Sequence, residues 1–599
     1  MTLEKRKASA QGHGMRLISK EATAPMNEPG GGTGESSTQR WPDSSFLIVG
    51  SLLLFCFCLA TRIPLRSRLL SGFDPVQFAL AIHHFDISQA QPQPPGYIVY
   101  VGLAKLVFRF LHDDNLTLTT LAALFSAFSA VLVFLLAFAM YDRRTALLAS
   151  AVWATCPLVW FHGLVGEIYA AAGCASLATA LSVYLFLRSP SRSMAICAGG
   201  VYALGAGLRP DQLLLMAPLF LFPFWRSAAC RRWAAYAFCP ALLVYLAWYL
   251  PTVASVGGYS AYARLVRGQF SAAVKKGSVF FGASPLVHTW MLILIISGLA
   301  LGLLPLLIIL AIRQALRRPS TQVGWIGRDE LLLPIVWAVP FLLFYSLIFI
   351  GRIAYCVALL PPILLLVSRW VVLSVVGLRA EAARRFWSLV LFCVTVNAGF
   401  FFLVPRFPER AVAGKSYRLP QLLPEALNLS LLCCQYDQIH YDQAVKKKYF
   451  ALIRDLLSRG NSALVLVQRM PPECLNFRVL EYYFPDVPVY GLVGLSDPAP
   501  GVHHPLIISV GRSASIPTRR SGGEGSGLGL TLGFAKGRVV LVQLKSLHLE
   551  VKARDGSAIE VVSEDWDEGL DPYQIYVLSL TPTSMVDVTS GRLTISIAE

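Results

Sequence analysis

The polar residues with the greatest chemical reach in this 599-residue chain stand at the ends of long apolar runs. Asp74 opens the segment Gly72-Phe73-Asp74-Pro75-Val76-Gln77 and precedes an apolar helical face of Phe78, Ala79, Ile82 and Phe85. His83-His84-Phe85-Asp86 and Gln91-Pro92-Gln93-Pro94-Pro95-Gly96-Tyr97 follow. A carboxylate beside a loop rich in Pro and His is suited to general-base work. Asp before Pro is equally suited to capping a helix. Asp86, twelve residues on, is the rival base. His83 and His84 have the chemistry to hold a phosphate or to sit among lipid headgroups. Glu167 and Tyr169 open another apolar run, and Arg209-Pro210-Asp211 separates two more. Arg209 and Asp211 are either functional or a structural pair joining helix ends. Arg352, isolated between apolar stretches, either neutralises a phosphate or snorkels to headgroups.

The elements that must position these residues are membrane spans. Hydrophobic residues make up 55% of the chain and charged residues only 15%, well below the ~25% charge of soluble proteins. The net charge of +17 suggests nucleic acid until it is divided. Residues 405–599 hold 20 Lys+Arg against 20 Asp+Glu, leaving 32 against 15 for the first 404. The excess therefore lies in the membrane part, where it sets topology, and nucleic acid is set aside. Residues 1–44 read as a disordered cytoplasmic tail rather than a signal peptide. Apolar runs then predict eleven spans: Ser45–Thr61, Leu118–Met140, Ala146–Leu164, Ile168–Leu187, Met194–Leu208, Leu213–Trp225, Ala234–Leu250, Val287–Ile312, Leu331–Ile350, Ile353–Val375 and Phe386–Val404.

Pro95–Leu111 decides the orientation, because Lys105 and Arg109 share one face of it. If it lies along the surface and residues 1–44 are cytoplasmic, fifteen Arg fall in cytoplasmic loops. In the later loops between spans, only six basic residues (Arg209, Arg264, Arg267, Lys275, Lys276 and Arg352) then fall outside. If it spans, the two sets swap sides. The positive-inside rule selects the surface helix. Residues 62–117, Glu167, Arg209, Asp211, Arg352 and the C-terminal part then share the extracytoplasmic face.

The arrangement resembles the GT-C superfamily of membrane glycosyltransferases, including protein O-mannosyltransferase-like and RgtA/B/C/D-like members. The similarity rests on one span, an outer loop opening with Asp74, a helix over 76–86, and Gln93-Pro94-Pro95-Gly96-Tyr97. Gly166-Glu167-Ile168-Tyr169, Gly205-Ala206-Gly207-Leu208-Arg209-Pro210-Asp211 and Tyr482-Tyr483-Phe484-Pro485-Asp486 add to it. The resemblance implies a polytopic α-helical membrane fold, GT-C-like, and an inverting transfer from a polyprenyl-phosphate-linked sugar donor. It makes Asp74 the catalytic base. Glu167, Tyr169 and Asp211 are then expected to orient sugar or acceptor hydroxyls. Gln93 stands where the family has His or Lys before Pro-Pro, so phosphate contact falls to His83, His84, Arg209 or Arg352. The acceptor is open among lipid, glycan and protein, and a divalent metal is undecided. A transporter or lipid flippase is the competing class, but no internal repeat of the kind common in transporters is visible.

Three domains are expected: the tail 1–44, the transmembrane part 45–404, and a C-terminal α/β soluble domain over 405–599. The last alternates amphipathic helices (441–455, 477–484) with short apolar strands and turns strand-rich from Arg538. Twelve cysteines show no CxxC or zinc spacing. A bridge from Cys433-Cys434 to Cys474 is one option outside the cytoplasm. Gly523–Gly527 lacks the Lys-Ser/Thr of a phosphate loop.

Overall fold

The computed structural model describes residues 44–316, 328–376, 382–404, 434–458 and 477–487, together with strand backbones between 411 and 597. The tail 1–43, Cys433, Cys474 and Gly523–Gly527 lie outside the described residues. Among the described residues eight helices are long and apolar enough to cross a bilayer: Ser44–Arg62, Asp114–Met140, Tyr169–Arg188, Ala234–Ala254, Pro285–Ala315, Glu330–Leu347, Ile353–Val375 and Ala383–Leu403. The chain is a multi-pass membrane protein.

The other three expected spans are shorter or broken. Ala146–Leu164 divides into Arg143–Thr155 and Pro157–His162. Pro157 has no N–H to continue the first helix and instead starts the second. Leu213–Trp225 divides into Gln212–Leu215 and Ala217–Arg226, again with Pro at the restart. Met194–Leu208 is the single helix Arg192–Leu208, 17 residues long. The Ile98–Leu111 helix has 14 residues and rises roughly 21 Å, short of a ~30 Å hydrocarbon core.

Burial distinguishes the spans. Ser44–Arg62 leaves Ile48 and Leu53 about two-thirds exposed, as suits a lipid-facing helix. Tyr169–Arg188 is buried on most of its surface, and its small residues let neighbours approach. A Cβ at Gly173 would stand 2.8 Å from Val357 Cγ1, and one at Gly199 only 1.9 Å from the Ala237 carbonyl. The second is a backbone-to-backbone contact that no larger residue permits. At the C-terminal end of the first span, buried Arg62 donates to Ser126 Oγ at 3.1 Å and to the Ala154 carbonyl at 2.6 Å. Those bonds satisfy a charge that would be costly unpaired.

The Phe73–His83 helix packs under the C-terminal helices Tyr436–Ser458 and Phe477–Tyr483. Val76, Phe78, Ala79 and Ile82 share one apolar cluster with Tyr449, Phe450, Ile453, Val479, Leu480 and Phe484. Tyr483 Oη accepts from the Leu70 amide at 3.1 Å, and buried Lys446 donates to the Leu70 carbonyl at 2.5 Å. These contacts put the first loop and the two C-terminal helices on one side of the membrane. Among the strands, a six-stranded sheet runs Leu506–Val510, Val489–Val493, Ser462–Gln468, Gly537–Leu544, Tyr573–Leu580, Glu560–Val561, with Ser462–Gln468 parallel to both neighbours.

Candidate functional site

Asp74 lies in the first turn of the Phe73–His83 helix, but the N-cap is Gly72 and no side-chain cap hydrogen bond forms. The capping alternative for Asp74 is therefore set aside. The helix N-terminus still favours a carboxylate there. Its ion partner is Arg352, whose Nη1 stands 4.0 Å from Asp74 Oδ2. The same Nη1 is 3.3 Å from Glu167 Oε1, and Glu167 Oε2 is 2.9 Å from His162 Nδ1. One guanidinium thus lies between two carboxylates carried by distant parts of the chain. Arg352 is 39% exposed at its side chain, Asp74 20% and Glu167 11%.

The cluster continues through aromatic rings. The His162 ring centroid is 5.2 Å from that of Tyr169. The Arg209 Cζ lies 5.0 Å from the Tyr169 centroid and 4.5 Å from that of Tyr355. Arg209 Nε donates to both carboxylate oxygens of Asp211, at 3.1 and 3.0 Å. Each of these residues sits where a helix stops. Arg209 caps Arg192–Leu208, where Pro210 disfavours helix continuation. Glu167 lies between Pro157–His162 and Tyr169–Arg188, and Arg352 precedes the short turn Ile353–Tyr355.

The two carboxylates are driven apart in acidity. Burial pushes the Asp74 carboxyl above the usual range, helped by Glu167 and opposed by Arg352 and Arg209. Burial also works against the Glu167 charge, but His162 and Arg352 outweigh it and hold that carboxyl below its ordinary value. Both guanidiniums stay charged; Arg352 is desolvated, yet Asp74, Glu167 and neighbouring phenols raise it, as Asp211 does for Arg209. A carboxylate that can take a proton beside one that stays ionised is the division of labour acid–base sites use. Among the described residues no three His, Cys, Asp or Glu side chains converge as metal ligands.

Six of the residues singled out from sequence thus lie in one contiguous cluster: Asp74, Glu167, Tyr169, Arg209, Asp211 and Arg352. The others do not join it. His83 lies at the opposite end of the helix, its Nε2 2.9 and 3.0 Å from the oxygens of Asp114. Asp86 caps a turn, accepting from Ser88 N at 2.9 Å and Ser88 Oγ at 2.6 Å. His84 is exposed beside it. Gln93 lies in the Pro-Pro turn, where its carbonyl accepts from Gly96 N at 3.1 Å. Sequence reasoning missed His162, which is hidden in the apolar run before Gly163, and Tyr355, three residues after Arg352. It also missed Tyr97, whose phenol is pushed well up by burial close to Arg209.

No protein-family model and no curated protein matches this chain. Among solved structures, the chain is similar to ArnT from Cupriavidus metallidurans bound to undecaprenyl phosphate. Identity is 13% and the TM-score 0.49, over 89% of this chain and 97% of that one. The apo state of the same protein gives 11% identity and 0.49, over 90% and 98%. The oligosaccharyltransferase of Archaeoglobus fulgidus gives 13% and 0.37, over 61% of this chain and 57% of that one.

Proposed function

We propose that this protein is an inverting membrane glycosyltransferase of the GT-C kind. It moves a sugar from a polyprenyl-phosphate donor to an envelope acceptor on the extracytoplasmic side. The observation that carries the proposal is the Arg352 guanidinium held between Asp74 and Glu167 at the ends of apolar helices. A lipid-linked donor places its phosphate at that depth and its sugar just beyond.

The acceptor oxygen attacks the anomeric carbon while the bond from that carbon to the phosphate oxygen breaks. The acceptor proton passes to Asp74, whose raised pKa suits it to receive one. The departing phosphate gains negative charge, and fixed cations stabilise that charge as it develops. A guanidinium carries five N–H donors, so Arg352 serves the phosphate while still paired, with Arg209 beside it. Glu167 stays ionised, holds Arg352 in register and accepts from sugar hydroxyls. Tyr169 and Asp211 belong to the same cluster, both against Arg209.

Purified protein in nanodiscs, given a labelled polyprenyl-phosphate sugar and an envelope extract as acceptor, transfers the label; Asp74→Asn transfers it at a normal rate only if the proposal is wrong. Reporter fusions after Arg232 and after Ser430 report opposite sides. A shared side refutes the orientation.

A further inference from the structure

A cleft of about 590 Å³ opens away from this cluster, at the far end of the Phe73–His83 helix. That helix has 11 residues, so the cleft begins roughly 16 Å from Asp74. One wall carries His84, Phe85, Asp86 and Ser88, the other Ser255 and Arg264 together with the apolar Val256, Ala261 and Leu265.

Both walls are fixed from beneath. Asp86 and Gln91 exchange backbone hydrogen bonds of 2.7 and 2.8 Å, closing the first wall into a tight loop. Tyr262 Oη donates to the Pro95 carbonyl at 3.1 Å, tying the Tyr259–Gly277 helix to the same loop. Gly96 sits between the two with φ +112, and a Cβ there would come within 2.6 Å of Ile87 Cδ1 and 3.1 Å of Thr252 Cγ2. Arg264 is exposed and has no ion-pair or hydrogen-bond partner among the described residues.

The lining selects a ligand class. One carboxylate and one guanidinium cancel in charge, which disfavours an anionic headgroup. Charged groups facing an apolar tail would be left unpaired, which disfavours lipid chains. What remains is a ligand that donates and accepts at many points, as each hydroxyl of a sugar does. Arg264 offers a fork-shaped partner to neighbouring hydroxyls. Asp86 keeps its second carboxylate oxygen as an acceptor, because the first holds Ser88. His84 adds a single contact, the Ser88 and Ser255 hydroxyl oxygens can accept, and Phe85 offers a ring face. The volume is within the range of small-molecule sites. We infer that this cleft binds a neutral saccharide, the glycan part of the acceptor, at a subsite separate from the reaction centre. The word acceptor rests on the glycosyltransferase reading; saccharide binding itself does not.

The test is saturation-transfer NMR on the full chain in phosphatidylcholine nanodiscs. The probes are glucose, galactose, mannose, arabinose, N-acetylglucosamine and chitobiose at millimolar concentration, with inorganic phosphate as competitor. At least one saccharide is expected to bind, with binding weakened fivefold or more in Arg264→Ala and in Phe85→Ala and retained in Asp74→Asn. Arg264 is on the surface, so its variant keeps the fold, which gel filtration checks. The inference is overturned if no saccharide binds, if both wall variants bind normally, or if phosphate displaces the saccharide. Binding needs no donor, so saccharide binding without any sugar transfer would sink the transferase reading alone, and transfer without saccharide binding would sink this site alone.

Discussion

The two ends of the Phe73–His83 helix each carry a buried or half-buried carboxylate contact, and they are built differently. At the far end Asp114 is saturated: His83 Nε2 stands 2.9 and 3.0 Å from its oxygens, and Tyr482 Oη donates to Oδ2 at 2.5 Å. At the near end Asp74 has a cation 4.0 Å away and no hydrogen bond among the described residues. A saturated carboxylate holds two elements together, here the first loop and the Phe477–Tyr483 helix. An under-coordinated one, partly desolvated, keeps its lone pairs available for a proton. The difference separates a clamp at one end of this short helix from an open carboxylate at the other.

Substitutions put that contrast to the test. The largest effect is expected at Asp74: Asn keeps the shape but takes no proton, so transfer falls by about two orders of magnitude or more, with thermal stability nearly unchanged. Equal damage to transfer from Asp114→Asn would erase the contrast. Arg352→Gln comes next, lowering transfer by about 10- to 100-fold, and it carries a distinctive pH signature. Asp74 must be deprotonated to act, so activity falls as pH drops through its pKa. Arg352 opposes the upward push of burial on that pKa, so its removal moves the acid limb of kcat/KM to higher pH. An unmoved limb would mean that another group is the base. Asp114→Ala should act on stability instead, costing about 1–3 kcal/mol through the unpaired Tyr482 and His83 while leaving the rate per folded molecule intact. Tyr482→Phe is the mildest, about 1 kcal/mol in the same thermal-unfolding assay.

Much of the membrane fold was legible because an apolar run of span length has few other destinations, and eight of the runs are helices of that kind. Two of the remaining three runs divide where Pro157 and Pro218 restart a helix inside an apolar stretch, since hydropathy does not register a missing N–H, and the third is the 17-residue helix Arg192–Leu208. The clustered site residues were legible for a related reason. Ionisable side chains at span ends must gather in a few shared places, and Asp74, Glu167, Arg209 and Arg352 do so. Partners supplied by tertiary contact were not legible. Asp114 is 31 residues from His83 and 368 from Tyr482, and nothing local joins the three. His162 was lost for the opposite reason: its neighbours are apolar, so it read as part of a span.

The bond from Lys446 to the Leu70 carbonyl joins residues 376 positions apart. At ~5–20 residues per second of synthesis, roughly 20–75 s separate the emergence of the first loop from that of the helices that cover it. During that interval Val76, Phe78 and Ile82 have no cover from Tyr449, Phe450 or Leu480, and Asp114 has no Tyr482. The nascent chain therefore carries its first loop in an unfinished state until nearly three-quarters of it has been made. Ribosome-bound chains released by a stop at 404 should be preferred targets for membrane proteases, whereas chains ending after Val487 should already resist them.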